Sequence, residues 1–217
     1  MNFYRRNWYY VGGILFVVLS FFMGFCSSVF SRMQTILIYS FMALLVHQFE
    51  EYALPGGFPG IFNIAVLGER ISPERYPLNQ NQCLIVNVFL AYPFYIAAVV
   101  FPKVIWLGLA QVLFGMFQII VHGVITNVKL KSWYNPGLGA VLFLHCPIGV
   151  YYIWYVASNG LASTMDYVFG FVATVLAAFI MVALPILILR DKQSKYPFAE
   201  SEVYRFGKEK LTTMLKK

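Results

Sequence analysis

Long stretches without a charged side chain alternate with short polar clusters along this chain. Asp, Glu, Lys and Arg are absent from Val11–Ser31, Met33–Val46, Cys83–Phe101, Val104–Val121, Gly137–Met165 and Tyr167–Leu189. A helix that crosses a bilayer needs about 20 mainly apolar residues. The pattern therefore predicts six transmembrane helices, over about 11–31, 33–53, 83–102, 104–127, 137–157 and 166–189. The expected fold class is all-α, a polytopic membrane helix bundle over residues 1–190. A basic tail follows at 191–217 and is expected to fray or to form a short surface helix.

Composition agrees with that pattern. The chain is 60% hydrophobic and 12% charged, against about 25% charged in soluble domains. Arg5 and Arg6 precede the first apolar run as they would in a signal peptide. That run exceeds the roughly 7–15 residues of a signal core and lacks an Ala-x-Ala cleavage pattern, so it is read as a retained helix.

Charge sets the expected orientation. With the N-terminus in the cytoplasm, every Lys and Arg falls on the cytoplasmic side except Arg32 and Lys103, out of 16 in all. The positive-inside rule favours that arrangement, which puts both termini in the cytoplasm. The net charge of +7 then marks a face toward anionic lipid, and no nucleic-acid partner is expected. Cys26, Cys83 and Cys146 match no zinc or haem spacing and are read as small helix residues.

The polar residues inside the apolar segments gather at one depth. In "LLVHQFEEYALPGGFPG" (44–60), His47, Glu50 and Glu51 have i, i+3, i+4 spacing near the cytoplasmic end of the second helix. Gln111, Gly115, Gln118, His122 and Thr126 form a single stripe on the fourth. His145 lies about 12 Å into the fifth, and Asn87 about one turn into the third. In "YNPG" (134–137), Asn135 is read as a helix cap and Pro136 as a first-turn residue. The longest loop, Leu54–Gln82, contains "GIFNIAVLGER" (60–70), expected to lie on the membrane surface as a short helix over the polar residues.

Charged groups within a spanning helix are costly and face the bundle interior. Two histidines with a carboxylate suit zinc, iron or manganese. The metal-ligand candidates are His47, Glu51, His122 and His145. Glu50, Glu51, Asn87 and Gln118 are the catalytic candidates: the second glutamate as general base, Gln118 and Asn87 as orienting groups. The same set without metal suits acid–base chemistry. Haem held by His47 and His122 is the weaker option, since glutamates crowd the site.

"HQFEEY" resembles the signature of the HXXEE-domain proteins, small integral membrane proteins, mostly bacterial, named for the motif. The resemblance covers about residues 10–190 and implies importance for His47, Glu50 and Glu51, in a bacterial inner membrane. It also implies an Asn-x-x-x-His signature, from which this chain departs because Gln118 stands four residues before His122. It implies no substrate. The expected function is a membrane enzyme, metal-dependent or acid–base, acting on a lipid-like or apolar small molecule. The alternatives are a proton-coupled transporter and a non-catalytic membrane binding or assembly protein.

Overall fold

The computed structural model describes residues 2–216, which are mostly helical and contain no strand. Nine helices follow in order: α1 (Asn2–Val29), α2 (Arg32–Tyr52), α3 (58–66), α4 (Gln80–Val100), α5 (Ile105–Leu130), α6 (Leu138–Ser158), α7 (Thr164–Ile188), α8 (Glu200–Val203) and α9 (Lys208–Leu215). Local signals fix several starts. Ser31 and Gln34 form a capping box on α2, and Ser163 does the same with Asp166 on α7. Asn79 Oδ1 accepts from the Asn81 and Gln82 amides at the start of α4.

Five of these helices, α1, α4, α5, α6 and α7, are long and apolar enough to cross a membrane. By that measure α2 is not the sixth spanning helix that the sequence pattern predicts. The remaining segment is a helix of 21 residues, but His47, Gln48, Glu50 and Glu51 lower its hydropathy. Its burial gives the reason: 13 of its 21 residues are buried, because α1, α4, α5 and α6 all pack around it. A helix sheathed by protein has no need of an apolar surface toward lipid. At the periphery the reverse holds. Only 11% of the apolar window of α1 and 22% of that of α7 is buried. Ile14, Val18, Phe21 and Phe25 on α1, with Phe169, Phe171 and Val175 on α7, are exposed. Aqueous surfaces do not carry apolar patches on this scale.

The long apolar helices are not uniform. Residues 85–90, 119–126, 141–145 and 179–183 form wide π-helical turns. Three of the four lie just before a proline: Pro93, Pro147 and Pro185. Proline offers no N–H to the carbonyl four residues back and collides with it, and the wider turn absorbs the mismatch.

The basic end of the bundle carries a packed cap. Ile61 and Ile64 of α3 share a core with Trp8, Tyr52, Leu84, Leu130, Phe198, Val203 and Leu211. Buried Asn63 staples the 54–82 loop: its amide donates to the Pro73 and Leu78 carbonyls, and its oxygen accepts from the Leu78 amide. So α3 forms a short helix as expected, and it is clasped between the bundle and the tail. The tail forms short surface helices, and α9 is seated on the cap by its one buried residue, Leu211. A Cβ on Gly60 would overlap the Val203 carbonyl, so α3 and α8 meet backbone to backbone. Helix α1 also starts nine residues earlier than expected, because Trp8 and Tyr9 belong to this core. Arg5 donates to Asn81 and stacks on Tyr196, which gathers the N-terminus, the loop and the tail at one end.

Leu211 is fully buried. Leu211→Ala is expected to cost about 2–5 kcal/mol of stability, read as a lowered unfolding midpoint in detergent. Protease resistance of the tail should fall with it.

Candidate metal centre

His47 and Glu51 lie one helical turn apart on α2 and point into the bundle, exposed by only 4% and 6%. The stripe on α5 turns inward to meet them, with Gln111, His122 and Thr126 almost fully buried. Glu51 Oε1 lies 3.7 Å from His47 Nε2 and 3.3 Å from His122 Nε2. One donor atom from each residue falls within 4.8 Å of the others. Both separations exceed the 2.7–2.9 Å of a charge-assisted hydrogen bond, and they leave a position between the three atoms.

The surrounding polar contacts fix how the rings are oriented. His47 Nδ1 is 3.0 Å from the Gly137 carbonyl, which can only accept. His122 Nδ1 is 2.8 Å from Asn135 Oδ1. The Asn135 amide nitrogen donates to the His122 carbonyl and to Asn127 Oδ1, so its oxygen is the acceptor toward the ring. Each imidazole therefore carries its proton on Nδ1 when neutral and turns an Nε2 lone pair inward. Two nitrogen lone pairs and a carboxylate oxygen then face one another, an arrangement that a cation relieves. Gly137 is needed twice over. Its φ is +104°, and a Cβ would lie within 3 Å of both histidine rings.

The neighbouring glutamate does something else. Glu50 is rotated about 100° from Glu51 around α2. Its carboxylate accepts from the Gly139 amide at 3.0 Å, the Ala140 amide at 2.7 Å and the Tyr134 hydroxyl at 2.7 Å. A carboxylate on the open N–H groups of a helix start is favoured by both hydrogen bonding and the helix dipole. The expected general-base position for Glu50 is thus corrected: it clamps α6 and does not reach the donor group. Burial, then the Glu50 carboxylate, push the Tyr134 phenol above its usual range.

The other expected residues divide. Asn87 and Gln118 line a cavity of about 110 Å³ together with His47, Glu51 and His122. The Asn87 carboxamide is already engaged, since it accepts from Gln48 and donates to the Cys83 carbonyl. Tyr92 completes that network by donating to Gln48. His145 is buried with its ring centroid 5.7 Å from that of His47, but it lies outside the donor group and its Nε2 has no protein partner. Most of the lining is apolar: Leu44, Phe58, Phe62, Val86, Phe114, Met181 and Ile186 among others. Phe58 lies against His122, its ring centroid 4.8 Å away.

Three residues near the site carry roles the sequence reading missed. Asn135 is not a helix cap; α6 begins at Leu138, and Asn135 anchors His122 instead. Gly137 supplies the carbonyl for His47, and Tyr134 holds Glu50. All three belong to "YNPG", whose turn residues were visible and whose target was not.

A family model described as a protein of unknown function with HXXEE motif matches residues 38–152. The match runs from α2 into α6 and contains all three histidines, Glu50, Glu51 and the 134–137 turn. No curated protein and no solved structure matches the chain.

Glu50→Ala should destabilise the fold by about 1.5–3 kcal/mol, the range for losing a hydrogen bond to a charged group, as read by thermal unfolding. The Tyr134 phenol should return toward about 10 in that variant, as read by ultraviolet titration of phenolate. In the wild type, a phenol whose folded pKa lies above its unfolded value adds stability below about pH 10, and loses it as pH rises through the folded value.

Proposed function

The chain belongs to the HXXEE family, and from that premise we propose that it is an integral membrane enzyme that binds a divalent metal through His47, Glu51 and His122. Its substrate is an apolar or lipid-like small molecule. One observation carries this reading: two histidine Nε2 atoms and a Glu51 oxygen converge in a buried position, with the tautomers set by Gly137 and Asn135. Two histidines and a carboxylate with an open position make a known catalytic zinc set; iron or manganese are the alternatives. A bound ion of this kind polarises a carbonyl and activates water near neutral pH.

The residues of the chain divide the remaining work. Asn135 and Gly137 orient the two imidazoles. Glu50 holds the turn that carries them. Phe58, Phe62 and Phe114 exclude bulk water and accept an apolar substrate. Gln118 stands on the wall where a polar substrate group would lie. His145 backs His47, and this reading gives it no bond to the ion.

The proposal includes six spanning helices, with α2 as the sixth, and both termini in the cytoplasm. The length of α2, about 30 Å at 1.5 Å per residue, matches the hydrocarbon thickness. The basic residues gather at the end that carries the cap, as the positive-inside rule requires. The bilayer we propose is the bacterial inner membrane, the setting the family resemblance implies.

Metal analysis of freshly purified protein is the test. The wild type should hold about one ion per chain, and His47→Ala, Glu51→Ala and His122→Ala should each lose it. Absence of metal from the wild type, or its retention in all three ligand variants, would sink the proposal.

A further inference from the structure

One fully buried carboxamide in the cavity is left without a partner. Gln82, in the first turn of α4, is 1% exposed and lines the same cavity as the donor group. Neither its Oε1 nor its Nε2 has a hydrogen-bond partner. Buried polar groups are bonded in the great majority of cases, and an orphan costs stability. Gln82 has two such atoms on one side chain.

Its setting separates it from its neighbours. The Asn87 amide is consumed by Gln48 and the Cys83 carbonyl. The Gln48 amide is consumed by Asn87 and Tyr92. Gln82 is held in place by the backbone, because Asn79 caps the turn and binds the Gln82 amide N–H. The side chain is therefore positioned but unspent. It presents one donor and one acceptor side by side.

The rest of the cavity describes what would meet it. The lining runs from Gln82 to Ala91 along α4 and from Leu44 to Tyr52 along α2, about 12–14 Å at the helical rise. Along that length the walls are aliphatic and aromatic, which suits an extended alkyl chain of medium length.

We propose that Gln82 recognises the polar head of an alkyl-chain amide, which answers its donor and acceptor with an acceptor and a donor. The carbonyl of that head lies in the same cavity as His47, Glu51 and His122. This assignment rests on reading the cavity as the substrate site, and it deepens the proposed function by naming the substrate class. It also accounts for the retention of an unpaired buried amide where an apolar side chain of equal size would pack at no such cost.

The test compares two probes in lipid nanodiscs by their effect on thermal unfolding, since a ligand of the native state raises the midpoint. Decanamide has the chain, the carbonyl and the N–H donors. N,N-dimethyldecanamide keeps the chain and the carbonyl but lacks the donors. Wild type should bind decanamide about tenfold more tightly, the scale of one or two net hydrogen bonds. Gln82→Met, which keeps the volume, should lose that discrimination, and its ligand-free midpoint should be equal or higher. Gln82→Leu serves as a second variant.

Equal shifts by the two probes in the wild type, or no shift by either, overturn the proposal without any variant. Discrimination that survives in Gln82→Met and Gln82→Leu also overturns it. The two readings fail separately. A protein without metal that still discriminates through Gln82 defeats the metal assignment alone. A protein with metal that does not discriminate defeats this one alone.

Discussion

The Glu50 carboxylate seated on the N-terminus of α6 is the interaction on which the candidate centre depends. It joins the end of α2 to the turn at 134–137. That turn supplies both anchors of the histidine rings, the Gly137 carbonyl and the Asn135 oxygen. The two adjacent glutamates thus divide the work by the geometry of the helix alone. A step of about 100° sends Glu51 inward to the donor group and Glu50 sideways to the neighbouring helix. The His-x-x-Glu-Glu spacing encodes both outcomes: i+4 places a carboxylate beside the imidazole, and i+3 places one where a helix start can receive it.

Much of this was legible in the sequence, and the reason is periodicity. The i, i+4 spacing put His47 and Glu51 on one face, and the stripe from Gln111 to Thr126 put His122 on the inward side of α5. What periodicity cannot show is the partner across a gap. Asn135 and Gly137 stood in plain view as turn residues, but their targets are 13 and 90 positions away in sequence. The i+3 position of Glu50 did not decide between the pocket and a neighbouring helix, because a helical wheel does not record a neighbouring helix start. The sixth apolar helix failed for a related reason. Hydropathy measures what lipid would meet, and α2 meets protein. The π turns carried a visible signal in Pro93, Pro147 and Pro185, since each removes one backbone donor.

The cap changes how the cavity is closed. Loop 54–82 and the tail are joined by one hydrophobic core, so α3, which carries Phe58 and Phe62, is held by α8 and α9. Cavity access is then coupled to the docking of segments far from it in sequence. The donor group and the Gln82 amide share an enclosure whose walls come from α2, α4, α5 and α7 and whose roof is α3. The polar atoms are few, and the two on fully buried Gln82 are uncommitted.

The burial of α2 also bears on how the chain is made. On the proposed topology, the helix least suited to lipid leaves the ribosome before α4, α5 and α6 exist to surround it. Charged residues are resisted when a helix partitions singly into a membrane. The helix made just before it is α1, joined to it by the short connection around Phe30 and packed along it in the finished fold. The pair is therefore suited to insert together as a hairpin, with α1 lending its lipid-facing surface to a helix that has none. The first helix would then serve the biogenesis of the centre while contributing no side chain to the donor group.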